Sequence, residues 1–268
     1  MKKLKKILLI VVILFVVLGL AAVVLVGVFL DRIVKTGIET VAPTITQTTV
    51  KLDGVSISAL SGSVGLKGFV VGNPAGYKTP SVISIGKTAV SVTPRSLFAE
   101  KIIVRSIEIR APEITFEGNP FGENNLKKIM ANVNAMAGAT ASGDTKKTTP
   151  PGTPSAAKKM QVDDFLLTGA KVHASIPGLA GQEFTLPIPD IHFSDLGQGT
   201  DGITAAELTR KVLDRVSVET LNAIIDYVNK TYGANAETLI KGVQSNAEKA
   251  VGDGAEKIKK GLGGLLKK

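Results

Sequence analysis

His173 and His192 are the only imidazoles in the chain, and each has acids nearby in sequence. Asp190 and Asp195 flank His192, while Asp163 and Asp164 precede His173. Histidine and aspartate together are the material of a metal site, or of a general base steered by a carboxylate. The spacing here matches no ligand motif, and each histidine sits within plain strand-like alternation. A solvated or hydrogen-bonded sheet residue is therefore the reading adopted for both. Ser61, Ser81, Ser96 and Ser106 lack any Gly-x-Ser-x-Gly context, so no nucleophile elbow is present. Gly62-x-x-Gly65-x-x-Gly68 leads into a strand, which removes the helix N-terminus a phosphate cradle needs. It reads as a tight, twisted strand whose small side chains allow close packing. No catalytic residue, cofactor or metal site is assigned, and the chain is expected not to be an enzyme.

Whatever the chain does is positioned by Ile7–Leu30, a run of 24 residues with no charged, Asn, Gln or Pro side chain. As a helix rising about 1.5 Å per residue it spans about 36 Å, enough to cross a hydrocarbon core of about 30 Å with some tilt. Backbone amides in lipid must be paired within the segment, so a helix is the conformation expected. A cleaved signal would have a shorter apolar region ending in small residues. Here Val23–Leu30 continues past Ala21 and Ala22, so an uncleaved anchor is the reading taken. Lys2, Lys3, Lys5 and Lys6 precede it without an acid, whereas Asp31, Arg32, Lys35 and Glu39 follow it and cancel. The positive-inside rule then keeps residues 1–6 in the cytoplasm and sends the bulk of the chain to the periplasm.

The net charge of +9 over 268 residues resembles a nucleic-acid signal until it is located. The N-terminal lysines supply +4, and seven lysines against three acids in Lys241–Lys268 supply another +4, so the span between carries +1. Basicity at the two ends suits membrane surfaces, and no nucleic-acid partner is expected. Cysteine is absent, which excludes disulfides, Fe–S clusters and thiolate-held zinc. Tryptophan is absent as well, and aliphatic residues with Gly predominate, as suits many strands joined by tight turns.

Along the chain, residues 31–41 extend the anchor as a short helix ended by Pro43. Asp53-Gly54 reads as the turn of a hairpin between Val50/Leu52 and Val55/Ile57, and Ser61-Gly62 as the turn of a second, with Ser63–Val71 as its strand. Val82–Ile85, Lys87–Val92 and Lys101–Glu117 follow as strands. Ile107 and Ile109 are out of phase with Ile114 and Phe116, which predicts a bulge at Pro112. Asn124 or Asn125 caps a helix with Leu126, Ile129, Met130 and Val133 on its apolar side. Residues 137–160 are Ala/Thr/Ser/Gly/Pro/Lys-rich and read as a disordered linker inserted between strands of one sheet. Strands resume over residues 161–203, with Pro187 and Pro189 marking an edge. Residues 204–268 are helical, opened by a Thr204/Glu207 capping box and broken near Ser217. The basic stretch Ala255–Lys268 either packs its apolar stripe on the sheet or preceding helix, or lays Lys257, Lys259, Lys260, Lys267 and Lys268 on an anionic bilayer.

Taken in order, Gly54-Val55-Ser56-Ile57, Leu66-Lys67-Gly68-Phe69-Val70-Val71-Gly72-Asn73-Pro74-Ala75-Gly76-Tyr77, Ile85-Gly86, Ser96-Leu97-Phe98, Ile107–Ile114 and Asn125-Leu126 give a chain that resembles the AsmA-like family. The likeness covers residues 1–130 and, more weakly, Leu186–Gly197. It implies a short, single-anchor member in the inner membrane, a periplasmic sheet-rich region over residues 31–136, and a role in envelope organisation. Longer relatives resemble groove-forming lipid-transfer proteins, whose curved sheet has an apolar inner face. The expected architecture is α+β: an N-terminal transmembrane helix, an extracytoplasmic antiparallel sheet and C-terminal amphipathic helices. The expected partners are membrane lipids and other envelope proteins. Val55, Ile57, Leu66, Val70, Val90, Val92, Ile107 and Ile109 are the candidate lipid-facing residues, in a protein needing no cofactor. Two alternatives stand beside this: a scaffold or stress-protective β-sandwich of the late-embryogenesis-abundant type, which shares an Asn-Pro turn, and a hydrolase using His173 or His192.

Overall fold

The computed structural model describes residues 29–141, 158–176 and 183–233. Most of Ile7–Leu30, most of the linker and the whole basic tail lie outside these residues. Among the described residues no helix is long and apolar enough to cross a membrane. The first helix, α1, covers residues 29–46. It does not stop at Pro43. Proline removes one N–H from the helical ladder, but the Thr44 and Thr46 hydroxyls donate back to the Thr40 and Ala42 carbonyls, and the Gln47 N–H closes on the Pro43 carbonyl at 2.8 Å. Ile45 and Thr46 are buried, so packing holds the last turn where propensity would release it.

Among the described residues ten strands form one sheet: β1 (Val50–Lys51), β2 (Gly54–Ser58), β3 (Ser63–Gly72), β4 (Ser81–Val92), β5 (Lys101–Arg110), β6 (Glu113–Glu117), β7 (Lys159–Thr168), β8 (Lys171–Ser175), β9 (Glu183–Pro187) and β10 (Ile191–Leu196). The register shows that several of these are halves of longer strands. β1 and β2 lie end to end along β3, β5 and β6 along β4, β7 and β8 along β5 and β6, and β10 and β9 along β7 and β8. The interruptions align across the sheet as one crease through Asp53, Gly68, Gly86, Ala111, Gly169 and Pro189. Gly68, Ala111 and Gly169 have φ of 61°, 47° and 64°. Such a residue turns the strand over, and the alternation then changes phase. Phe165 and Leu167 are buried before the crease, and Ala170, Val172 and Ala174 after it. The bulge expected at Pro112 is thus one point on a line crossing the whole sheet.

Two expectations fail here. Asp53-Gly54 is not a hairpin turn, because β1 and β2 both pair with β3 and the Asp53 N–H donates to the Lys67 carbonyl at 3.0 Å. Gly68 stands opposite, where an added Cβ would lie 2.0 Å from the Asp53 carboxylate. The dipeptide sits in a bend of one edge strand. The sheet is also mixed rather than antiparallel: β5–β7 and β6–β8 are parallel. A parallel return requires a crossover, and α2 (Asn125–Ala141) begins it. The Ser61-Gly62 hairpin is present, closed by Ser58 opposite Ser63.

Asn124 caps α2 by accepting from the Lys127 N–H at 2.9 Å, and Leu126, Ile129 and Val133 are buried beneath it. Thr204 and Glu207 form the full capping box of α3 (Ala205–Tyr232). No break occurs at Ser217, since Leu213, Val216, Thr220, Ile224 and Val228 make one buried stripe at helical spacing. α3 packs on α2 and over β9 and β10, with the Phe184 and Tyr227 rings stacked at 4.4 Å. One sheet with helices on one face is an α+β fold, not a sandwich of two sheets.

Candidate functional site: the apolar face of the sheet

Cross-strand partners share a face, so the register assigns each candidate residue to a side. Val55, Leu66, Thr88, Ile109, Leu167 and Ile191 form one row, and Ile57, Val64, Val90, Ile107, Phe165 and Phe193 the next. Both rows are buried at the β7–β10 side, where Leu167 and Ile191 are 4% and 2% exposed. Val90, Val92, Ile107 and Ile109 are half-buried and pack against the core. Val55, Ile57, Val64 and Leu66, towards the β2 edge, are equally half-buried but stand outside that packing. Seven of the eight residues singled out from the sequence therefore lie on one side, Val92 joining it beyond a bulge that sets it opposite buried Val104. Val70 does not. It pairs with Lys51 and Ser84, because the phase changes at Gly68 and strict alternation from Leu66 carries to the wrong face.

The opposite face is polar. Gly54, Ser56, Gly65, Ala89, Lys67, Lys87, Glu108 and Arg110 line a shallow concavity of about 470 Å³, to which Val55, Leu66 and Thr88 also contribute. Lys67, Lys87 and Arg110 stand directly opposite one another across β3, β4 and β5, an arrangement that costs stability unless counter-charges intervene. Glu108 supplies one, 2.6 Å from Arg110. Both histidines are on this polar side. His192 Nε2 is 2.6 Å from Asp164 Oδ1, and His173 Nδ1 is 3.0 Å from Thr185 Oγ1. Asp190 is engaged with the Gly169 N–H and Asp195 with Gln198, so the acids near His192 in sequence do not converge on it. Among the described residues no group of three or more His, Cys, Asp or Glu is placed to hold a metal ion.

Two features escaped the sequence reading. The first is a polar ladder on α1. Asp31 accepts from the Ile57 N–H at 2.8 Å, Lys35 donates to the Asp53 carbonyl at 3.2 Å, and Glu39 accepts from the Leu52 N–H at 3.0 Å. Spaced four apart on one helix face, they satisfy the outward backbone groups of the β1–β2 edge, which would otherwise offer a strand template. The i, i+4, i+8 spacing was visible; its target was not.

The second feature lies at the far end, past β3 and β6. Glu117 accepts from the backbone N–H groups of Lys78 and Thr79 and from the Thr79 hydroxyl, at 2.8–2.9 Å. Asn125, fully buried, donates to Asn73 and the Thr115 carbonyl and accepts from the Glu117 N–H. Burial pushes the Glu117 carboxyl up, but these donors and the Lys78 charge outweigh it and hold it below the ordinary carboxylate range. The Asn73–Pro80 loop is fixed by this cluster.

The architecture is a helix-backed sheet with an apolar face and a guarded edge. The AsmA family model matches residues 1–176, and the chain belongs to the AsmA family. Membership supports an envelope-associated role. No curated protein and no solved structure matches the chain.

Proposed function

We propose that the chain is a non-enzymatic envelope protein, anchored in the inner membrane by Ile7–Leu30 with its bulk in the periplasm, whose sheet contacts lipid or other envelope proteins. The observation that carries this is that Val55, Ile57, Val64 and Leu66 lie half-buried and outside the core packing, on the face that forms the core elsewhere. Apolar area left open beside a core marks a contact surface when it is contiguous. The C-terminal region beyond residue 233 is a candidate cover for part of this face, as is lipid.

The test uses the two sides of β3. A photo-crosslinking side chain at Leu66, in the full chain in cells, is expected to give lipid or protein adducts. The same group at Val70, on the polar side, is expected to give few. Equal adducts at both positions, or none at Leu66, would overturn the contact role. For the non-enzymatic part, the double variant His173→Ala/His192→Ala is expected to keep every envelope phenotype of the parent; loss of function in a folded double variant would restore a catalytic reading.

A further inference from the structure

The large apolar side chains that the described residues leave most exposed are Phe98, Leu60 and Phe29, at 94%, 91% and 66%. They lie at one end of the sheet. Leu60 is at the tip of the β2–β3 hairpin, and Phe98 ends the 3-10 turn Pro94–Phe98 that follows β4, with Leu97 beside it, 48% exposed. These two turns are joined. The Val92 N–H donates to the Gly62 carbonyl at 2.7 Å, and Arg105 donates to the Ser61 carbonyl at 3.0 Å. A Cβ on Gly62 would meet the Val92 carbonyl oxygen at 2.0 Å and the Pro94 ring at 3.0 Å. The 3-10 turn is itself braced: buried Ser96 donates to the Thr93 carbonyl at 2.6 Å and accepts from the Ile103 N–H at 2.9 Å. Leu60, Leu97 and Phe98 are therefore held outward by a rigid base.

The chain reaches this same end from Ile7–Leu30. Asp31, the first residue after that apolar run, is fastened to Ile57, three residues from Leu60. α1 then runs along the β2–β1 edge towards the other end, where Glu39 meets Leu52. Exposed cations stand beside the apolar tip: Arg105 bonded to Ser61, Lys158 bonded to Leu97, and Arg95 within the turn itself, against the exposed acid Glu100. Lys158 Nζ donates to the Leu97 carbonyl at 2.6 Å, placing it beside the exposed pair. Apolar side chains flanked by Lys and Arg suit the boundary between acyl chains and anionic headgroups.

We propose that this end of the sheet rests on the bilayer surface, with Leu60, Leu97 and Phe98 in the apolar boundary and the cations beside them at lipid phosphates. The inference rests on the anchor reading, since Ile7–Leu30 would bring the bilayer to this end. It fixes the orientation of the domain: strands rise from the membrane, and the Asn73–Pro80 loop, at the other end of β3 and β4, points away by about 30 Å.

The absence of native cysteine makes single-site labelling direct. The full chain is reconstituted in phosphatidylethanolamine/phosphatidylglycerol vesicles carrying spin-labelled lipid, with a bimane on A59C, A99C or A75C. Labels at the first two positions flank the tip without replacing it, and Ala75 lies in the distal loop. Lipid quenching several-fold stronger at positions 59 and 99 than at 75, and reduced to the level of 75 by Leu60→Ser/Phe98→Ser, is the expected result. A chain that floats with the vesicles but shows equal quenching at all three positions overturns the docked tip and leaves the anchor standing. A chain that does not float with vesicles overturns both.

Discussion

At one corner of the apolar face, β6, β8 and β9 lie beneath α2 and α3, and Phe116, Ile114, Val172 and Ile224 are at most 1% exposed. At the other corner, across the crease, β2 and β3 carry Val55, Ile57, Val64 and Leu66 half-buried and outside the core packing. The two corners have the same alternation of aliphatic and polar residues, and in sequence they are indistinguishable. What separates them is the layer above. A sheet residue becomes core only when a second layer arrives, and among the described residues α2 and α3 pack over β6, β9 and β10. The β1–β2 edge is bounded by α1, whose polar ladder addresses backbone there. The proposed contact role rests on this difference.

Stability should report the contrast directly. Phe116→Ala removes a fully buried ring and is expected to cost about 4 kcal/mol, whereas Leu66→Ala in the open corner is expected to cost about 1 kcal/mol. Denaturant unfolding of both variants measures it. Comparable losses would mean that the open corner is covered as tightly as the core, and the comparison would collapse. A finer probe lies in α3, where the fully buried Thr220 hydroxyl has no hydrogen-bond partner among the described residues. A buried hydroxyl left without a partner is destabilising, so Thr220→Val is expected to raise stability by about 1 kcal/mol. A loss of stability in T220V would show that the hydroxyl is satisfied in solution and that the closed corner is less dry than it looks.

The guarded edge can be opened separately. Asp31→Ala and Glu39→Ala each remove the acceptor from one edge N–H, at Ile57 and Leu52. Each is expected to cost about 1 kcal/mol, and to speed hydrogen exchange locally at that amide. Exchange that rises instead across β6 and β8 would place α1 in the cooperative core. The expected pattern leaves the closed corner protected and confines the change to the half of the sheet that α1 serves.

Much of this was legible beforehand, for identifiable reasons. The α2 stripe, the Thr204/Glu207 box, the Ser61-Gly62 turn and the proline-marked edge at Pro187 and Pro189 are local signals, and β9 and β10 do lie at the edge. The errors are non-local. Asp53-Gly54 has turn chemistry, but β3 offered both β1 and β2 a partner, and pairing overrode the dipeptide. Pro43 has breaker chemistry, but burial of Ile45 and Thr46 kept the helix going. Val70 was misplaced because Gly68, at positive φ within a strand, reverses the alternation without interrupting the run of strand-forming residues. The family resemblance rested in part on residues that prove to be turn and crease positions, such as Gly68, Asn73-Pro74 and Ala111-Pro112. It could be read without the pairing pattern. Which aliphatic row is covered could not, because that depends on where α2 and α3 land.

The smallest effect expected is at the distal loop, and it has a definite sign. The Glu117 carboxyl is held below the ordinary carboxylate range in the folded chain. Its contribution is therefore complete above the unfolded value, and is lost as pH falls through the lower folded one. The group is half-buried at the surface, so the effect is partly screened and local rather than global. Amide exchange at Lys78 and Thr79, corrected for intrinsic rate, is expected to accelerate as the pH drops below the usual carboxylate range, while exchange in β2 stays level. Glu117→Gln should abolish most of that dependence, because the amide still accepts hydrogen bonds but no longer titrates. If the loop loosened equally in the variant, its acid sensitivity would have to come from elsewhere. The end of the sheet opposite the exposed apolar tip would then lack the fixed loop that makes position 75 a fair reference for distance from the bilayer.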